Sequence, residues 1–151
     1  MKIIHCADIH LDSKMSANLT KEKARERKTE LLTTFQNMVA YGAEQGVSAI
    51  IIAGDLFDNF NPSVEAIELF YKTLKRLSLN GKRPVIAISG NHDSPSLIDA
   101  PDPLARECGI TLIGHPKAKV TPFELDDFKI SHSVEGMIEI QLKNYDFPIR
   151  I

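Results

Sequence analysis

Three short polar clusters in this chain contain residue types that bind metal ions. Asp8 and His10 form the first, Asp55 the second, and Asn91 with His92 the third. Oxygen and imidazole ligands without cysteine favour Mn²⁺, Fe²⁺ or Zn²⁺ over a soft-metal site. Two such ions held about 3.5–4 Å apart can activate water and hold both oxygens of an in-line phosphoryl displacement. The chemistry that these clusters predict is therefore metal-dependent hydrolysis of a phosphate ester.

Each cluster follows an apolar run that is typical of a strand, at residues 2–7, 48–53 and 84–89. The run before Asp55 is apolar without alternation, which indicates a strand covered on both faces. The carboxyl ends of parallel strands meet at one edge of a sheet, where ligands bind in α/β folds. Asp8 and His10 are two residues apart, so at an extended strand end both side chains would point the same way. Such a fold would assemble the three clusters into one site.

The residue types also suggest how the roles are divided. Asp55 has two carboxylate oxygens and could bridge two ions, while Asn91 offers a neutral amide oxygen. His92 would then be free to stabilise charge on the phosphate or to protonate the leaving alkoxide. Each cluster alone also has a simpler explanation: a surface loop, a helix cap at Asp55, or a turn over 90–93. The metal interpretation depends on all three clusters occurring together after strands.

The remaining sequence predicts an α/β fold. A helix is predicted over 22–45 from apolar residues at helical spacing, and a second is capped by Asn61 and opened by Pro62. Prolines after the third strand predict short helical pieces before a fourth strand at 110–113. Short β-like runs follow at 118–125, 128–132 and 136–142. The pattern indicates a βαβαβ sheet with flanking helices, followed by antiparallel strands.

Composition sets broad limits on class and compartment. The 151 residues are 43% hydrophobic and 25% charged, which suits one globular domain. The net charge of -2 gives no global field that attracts nucleic acid, although six basic residues face two acidic ones between Lys14 and Lys28. We interpret that segment first as a solvated loop and helix start, and second as a phosphate-contacting patch. Cys6 and Cys108 lie in apolar contexts and indicate reduced thiols in a cytoplasmic protein. No apolar run approaches the ~20 residues of a membrane helix, and the first residues lack a signal-peptide apolar region.

Longer stretches around the three clusters resemble a known family. Asp8-x-His10, Gly54-Asp55-x-x-Asp58 and Gly90-Asn91-His92-Asp93 resemble the first three motifs of calcineurin-like metallophosphoesterases. With their flanks they are similar to one branch, the SbcD-type exonuclease subunit; the flanked stretches are His5–Asp12, Gly54–Asp58 and Ile88–Ser94. The resemblance is good over residues 1–115 and looser beyond them.

The resemblance implies a site for two divalent ions, of which Mn²⁺ is the expected identity. The implied site residues are the metal ligands Asp8, His10, Asp55 and Asn91, the catalytic residue His92, and the supporting residues Asp58 and Asp93. Asp55 would serve both ions in this scheme, the first together with Asp8 and His10 and the second together with Asn91.

The resemblance also implies an activity and partners. The activity would be that of a Mn²⁺-dependent DNA nuclease, a double-strand exonuclease and single-strand endonuclease in DNA repair, recombination and replication. The implied partners are DNA, an SMC-like ATPase of SbcC type and a second copy in a homodimer, with no membrane. Leu97, Ile98 and Leu104 on short, proline-broken helices are candidates for the dimer surface, unless they pack on the sheet instead.

The sequence departs from the family pattern in its second half. The family's later histidine and its Gly-His-x-His pair have no match here; Gly114-His115 supplies only half of that pair, and His132 stands alone in a β-like run. The chain also ends in a strand-like stretch at 147–151. We therefore expect residues 1–151 to be the N-terminal part of a nuclease domain, truncated before the capping and ATPase-binding regions and weakly active alone. Two other functions stay open: another metallophosphoesterase, such as a nucleotide phosphodiesterase or a protein phosphatase, and a non-catalytic binding module.

Overall fold

Eight strands and four helices make up the described part of the chain. The computed structural model describes residues 1–14 and 18–151, except for the side chain of His132. Part of the basic segment predicted between Lys14 and Lys28 therefore lies outside the described residues. The elements in chain order are β1 (Ile3–Cys6), α1 (Lys21–Glu44), β2 (Ala49–Ala53), α2 (Val64–Leu77), β3 (Val85–Ile88), α3 (Pro95–Asp99), α4 (Asp102–Glu107), β4 (Ile110–Ile113), β5 (Phe123–Glu124), β6 (Phe128–Val134), β7 (Met137–Leu142) and β8 (Ile149–Arg150).

The first four strands form a parallel sheet in the order β1-β2-β3-β4. Its central strands are covered on both faces. On one face Ile50 and Ile52 pack in a core cluster with residues of the helices. On the other face Ala49 and Ile86 pack in a second cluster with residues of the second sheet. This double burial explains why the run before Asp55 lacks alternation, and it confirms the predicted α/β class.

The last four strands form an antiparallel sheet in the order β5-β6-β7-β8. Alternate residues of β7 are buried, as expected for a strand with one face on the core. The predicted antiparallel strands are therefore present, but the first of them is shorter than expected. Only Phe123–Glu124 pairs, whereas the prediction covered 118–125. Pro122 has no N–H to donate to a ladder, which is consistent with pairing that begins one residue later.

The second helix begins later than predicted. Its N-cap is Ser63, whose hydroxyl accepts a hydrogen bond from the Ala66 N–H at 3.3 Å. The predicted cap at Asn61 is wrong, because the backbone N–H of Asn61 is bound by the side chain of Asn59 at 3.0 Å in a local turn. Pro62 then precedes the cap instead of opening the helix.

The proline-rich segment after β3 forms the two short helices α3 and α4, as predicted. Of the three apolar residues considered for a dimer surface, Ile98 is completely buried in the helix-side core cluster. Leu104 is 78% exposed, and Leu97 is half-buried. The alternative that these residues pack on the sheet therefore holds for Ile98, and Leu104 is the member that solvent reaches.

Two observations concern the cysteines and the helices. Cys6 and Cys108 are free and half-buried, and burial raises the pKa of the Cys6 thiol. Within the part of the chain that the structure describes, none of the helices combines the length and the apolar character that a membrane crossing requires.

Tyr71 provides a test of the packing between α2 and the core. Its hydroxyl is buried without a hydrogen-bond partner among the described residues, and burial raises the pKa of Tyr71 to about 12. We expect Tyr71→Phe to leave stability unchanged or to raise it by up to about 1 kcal/mol, because the variant removes an unsatisfied polar group. The raised pKa stabilises the fold only while the phenol is neutral, so wild type should lose stability relative to Tyr71→Phe above pH 10. Urea unfolding of both proteins at pH 7 and pH 11 checks this, and a smaller difference at pH 11 would contradict it.

Candidate metal centre

The loops that follow β1 and β2 lie side by side and extend the parallel pairing beyond the strands. Four backbone hydrogen bonds of 2.9–3.1 Å join the two loops: Asp8 N–H to Gly54 O, His10 N–H to Asp55 O, Leu11 N–H to Leu56 O, and Asp58 N–H to Leu11 O. Leu11 and Leu56 are fully buried between them. The first two polar clusters are thereby held next to each other by main-chain contacts.

The backbone of these loops is left-handed at the polar residues. The φ angles are 55° at Asp8, 47° at His10 and 48° at Asp55. The prediction that Asp8 and His10 extend from the strand with parallel side chains is therefore wrong. Left-handed backbone at residues other than glycine is strained, and it persists where surrounding contacts enforce it, which is common at functional sites. Here the main-chain bonds between the loops provide that enforcement.

Three side chains converge above these loops. His10 Nε2 lies 3.8 Å from Asp8 Oδ1 and 3.9 Å from Asp55 Oδ2. One ligand atom from each residue lies within 4.8 Å of the other two, a grouping that could hold a metal ion. The Asp8 side chain is 72% exposed and that of Asp55 is 14% exposed. Two carboxylates and an imidazole are ligands that suit Mn²⁺, Fe²⁺ or Zn²⁺, so these residues fit a divalent ion.

The other nitrogen of His10 points toward Asp58. His10 Nδ1 lies 3.3 Å from Asp58 Oδ1, but the angles do not complete a hydrogen bond, and Nδ1 is a buried polar atom without a partner among the described residues. His10, Asp58 and His92 form a second group of possible ligands, and the His10 and His92 rings meet edge to face with centroids 5.0 Å apart. A carboxylate beside the distal nitrogen of a ligating histidine commonly orients the ring. Asp58 is placed to do this for His10 with a small rotation.

The third cluster joins the site through the main chain of His92. The His92 N–H donates to Asp55 Oδ1 at 3.0 Å, and His92 Nδ1 lies 3.0 Å from the carbonyl oxygen of Asp58. Because a carbonyl can only accept, Nδ1 must carry the proton of this bond. The hydrogen bond to the Asp58 carbonyl raises the pKa of His92, and the nearby carboxylates of Asp55, Asp58 and Asp93 raise it further. Asn91 is exposed beside His92 at the end of the same loop.

Asp93 fastens the second and third clusters to each other. Its side chain is almost fully buried, with 1% of the residue exposed. Its carboxylate accepts hydrogen bonds from Leu56 N–H at 3.0 Å, Phe57 N–H at 2.8 Å and Gly90 N–H at 2.7 Å. Hydrogen bonds to a charged acceptor are stronger than those between neutral groups. Asp93 therefore fixes the loop after β2 relative to the loop after β3, and with it the distance between Asp55 and His92.

Two glycines allow those loops to approach closely. Gly54 has a φ of 95°, and a Cβ at that position would lie 3.3 Å from the Gly90 Cα. A Cβ at Gly90 would overlap the backbone nitrogen and the carboxylate of Asp55, with 2.7 Å to Asp55 Cγ. Both positions require glycine, the first for its conformation and the second for space.

Comparison with known proteins places this arrangement in a family. The model of the calcineurin-like phosphoesterase family matches residues 1–138. This chain belongs to that family. Three relatives each carry a name that makes them the SbcD subunit of the nuclease SbcCD. The protein from Bacillus subtilis (strain 168) is 38% identical over 125 residues, which cover 83% of this chain and 30% of the relative.

The other two relatives come from Rhodobacter capsulatus and Staphylococcus epidermidis. The first is 31% identical over 115 residues, which cover 76% of this chain and 27% of the relative. The second is 39% identical over 93 residues, which cover 62% of this chain and 23% of the relative. The chain thus spans less than a third of the length of the relatives it matches. Members of the calcineurin-like phosphoesterase family bind divalent metals, and the two groups of histidines and carboxylates described above could hold them.

The histidines of the second half stand apart from this metallophosphoesterase site. His115 is exposed after β4 and belongs to neither of the metal-type groups found among the described residues. The side chain of His132 lies outside the described residues. Sequence reasoning missed a further contact, in which Asp12 binds Lys28 and the Ser63 backbone. Its only sequence signal is the position of an acid two residues after His10.

Proposed function

We propose that this chain is a metal-dependent nuclease subunit that hydrolyses phosphodiester bonds in DNA, as a double-strand exonuclease and single-strand endonuclease in DNA repair, recombination and replication. The observation that supports this most strongly is the convergence of Asp8, His10 and Asp55 at one sheet edge, with His92 beside them. The name shared by the three relatives supports the nuclease class.

We assign the metal ligands from the same geometry. Asp8, His10 and Asp55 would hold one ion, and Asp55 with Asn91 would contribute to a second. Mn²⁺ suits this mixture of carboxylate, amide and imidazole ligands, which contains no cysteine. When bound, the ions supply Lewis acidity, which lowers the pKa of water and offsets negative charge on a phosphate.

His92 is the residue we assign to contact the substrate. Its Nδ1 is held by the Asp58 carbonyl and its main chain by Asp55, so the ring is oriented by contacts on one side. No described residue donates to or accepts from Nε2, which leaves that nitrogen available to a substrate. The raised pKa favours the protonated ring, which can donate to a phosphate oxygen or to a leaving alkoxide. Asp58 and Asp93 support the site by orienting His10 and fixing the two loops.

The partners we propose are DNA, an SMC-like ATPase of SbcC type and a second copy of the chain in a homodimer, in the cytoplasm. The relatives are named as subunits of an SbcCD complex, which supports assembly with another chain. The exposed Leu104 on α4 is consistent with a surface that another protein covers.

We predict that His92→Ala lowers nuclease activity and leaves metal binding intact. The assay is digestion of linear double-stranded DNA, labelled at both ends, by the 151-residue chain with Mn²⁺. We expect slow, Mn²⁺-dependent digestion by wild type and a loss of about 10²–10⁴-fold in the variant, the usual contribution of a general acid or base. Mn²⁺ affinity, measured by calorimetry, should stay within about threefold of wild type.

His115→Ala is the matched control, because His115 is also an exposed histidine but lies outside the two metal-type groups. Its digestion rate should equal that of wild type. If His92→Ala empties the site of metal, His92 is a ligand and its assigned role is wrong. Faster hydrolysis of a phosphomonoester or a nucleotide than of DNA would favour another metallophosphoesterase. Metal binding without any hydrolysis would favour a non-catalytic binding module.

A further inference from the structure

Asp12 connects the first polar loop to two helices. Its Oδ1 accepts a hydrogen bond from Lys28 Nζ on α1 at 2.8 Å, and its Oδ2 accepts one from the backbone N–H of Ser63, the N-cap of α2, at 2.8 Å. The Asp12 side chain is 16% exposed. Among the described residues, Asp12 is the one member of the loop 8–12 whose side chain binds either helix. The interactions with Lys28 and Ser63 hold the pKa of Asp12 below its ordinary value despite burial.

The loop needs such a connection because its backbone is strained. Asp12 has a φ of 70°, and Asp8 and His10, four and two residues before it, are left-handed as well. A non-glycine residue leaves this conformation readily unless its surroundings hold it. Main-chain bonds to the neighbouring loop hold the first part of the segment, as far as Leu11. At the far end a carboxylate bound from two directions is what opposes relaxation.

Asp12 is not itself placed to bind the metal. Both of its oxygens are engaged, and it belongs to neither metal-type group of the described residues. Nor is it needed to cap α2, because Ser63 caps that helix with its own hydroxyl. The bond to the Ser63 N–H therefore ties the loop to the helix without completing the helix. The chain uses an acid in a conformation that glycine adopts at lower cost, and the two bonds are what that acid adds.

We propose that Asp12 is a positioning residue: it holds the loop that carries Asp8 and His10 against the loop that carries Asp55, and thereby sets metal affinity at the candidate metal centre. The proposal rests on the metal ligands assigned under the proposed function. Through Lys28 and Ser63 it also couples the site to α1 and α2, so a displacement of either helix reaches His10 within two residues.

The test compares Asp12→Ala with Asp12→Asn in the 151-residue chain. Asn tolerates left-handed backbone and keeps an oxygen for the Ser63 N–H, whereas Ala does neither. We expect Asp12→Ala to lower Mn²⁺ affinity by about 10–100-fold, as removal of residues behind metal ligands commonly does. Asp12→Asn should restore affinity to within about fivefold of wild type, a rescue based on the retained oxygen. Glu68→Gln, which breaks the exposed Glu68–Lys72 ion pair on α2, is the control and should bind Mn²⁺ like wild type.

A second measurement needs no metal. In the metal-free protein, hydrogen exchange at the amides of His10 and Leu11, which bind the neighbouring loop, should accelerate at least about tenfold in Asp12→Ala. Exchange at Ile52 in β2 should change much less. Wild-type affinity together with wild-type exchange at His10 in Asp12→Ala would overturn the proposal. If the wild-type chain binds no Mn²⁺ and exchange is still faster in the variant, the assigned metal site and the effect on affinity are refuted, while the role of Asp12 in holding the loop is retained.

Discussion

Asp55→Ala should lower Mn²⁺ affinity by at least about 100-fold, more than is typical for residues behind the ligands. Asp55 faces His10 with one carboxylate oxygen and accepts the His92 N–H with the other, so it contributes to both sides of the site. Its removal also leaves Asp8 as the one carboxylate beside His10 Nε2 among the described residues. Calorimetry with Mn²⁺ on both proteins measures the change.

The fold should survive this substitution. The N–H of His92, which loses its acceptor, lies in an exposed residue and can bind water instead. The left-handed backbone of Asp55 is maintained by its main-chain bond to His10. Asp126→Ala, an exposed acid between β5 and β6, is the control and should bind Mn²⁺ like wild type. Equal Mn²⁺ binding by Asp55→Ala and wild type would remove Asp55 from the site.

Patterns of residue type were sufficient to predict the sheet and the edge at which the polar clusters meet. Ile50 and Ile52 are apolar because both faces of their strand are covered, and the following Gly-Asp marks the strand's end. The positions of Asp8 and Asp55 at neighbouring strand ends follow from that order of elements. The start of α2 was predicted too early, because two polar residues, Asn61 and Ser63, can both cap a helix and only the surrounding contacts choose between them.

The details that position the side chains could not be predicted in this way. Left-handed backbone at Asp8, His10 and Asp12 results from tertiary contacts, and local propensity favours other conformations for these residues. Asp93 belongs to a recognisable motif, yet its three backbone donors lie in two loops that meet only in the folded chain. The partners of Asp12 are 16 and 51 residues away in sequence. Interactions over such separations leave no periodic signal in the sequence.

Gly90→Ala should damage both the fold and the site. A Cβ at Gly90 would overlap the Asp55 backbone nitrogen and its carboxylate, and backbone atoms cannot move aside as the end of a flexible side chain can. The loops after β2 and β3 would have to separate, which strains the hydrogen bonds that Asp93 accepts from both of them. We expect a loss of about 3 kcal/mol in the free energy of unfolding, at the upper end for overpacking, and a loss of Mn²⁺ binding comparable with that of Asp55→Ala.

Gly42→Ala is the matched control for this substitution. A Cβ at Gly42 would lie 3.1 Å from Arg83 Nη1 and 3.5 Å from Ile4 Cδ1, both at the ends of side chains that can adjust. Gly42 also lies inside α1, where alanine is favoured over glycine by about 1 kcal/mol, which offsets the crowding. Its stability should therefore change by no more than about 1 kcal/mol, and its Mn²⁺ affinity should not change. Urea unfolding and calorimetry on both variants measure the contrast. If Gly90→Ala were as stable as Gly42→Ala and bound Mn²⁺ equally well, the close approach of the two loops would not be what positions Asp55.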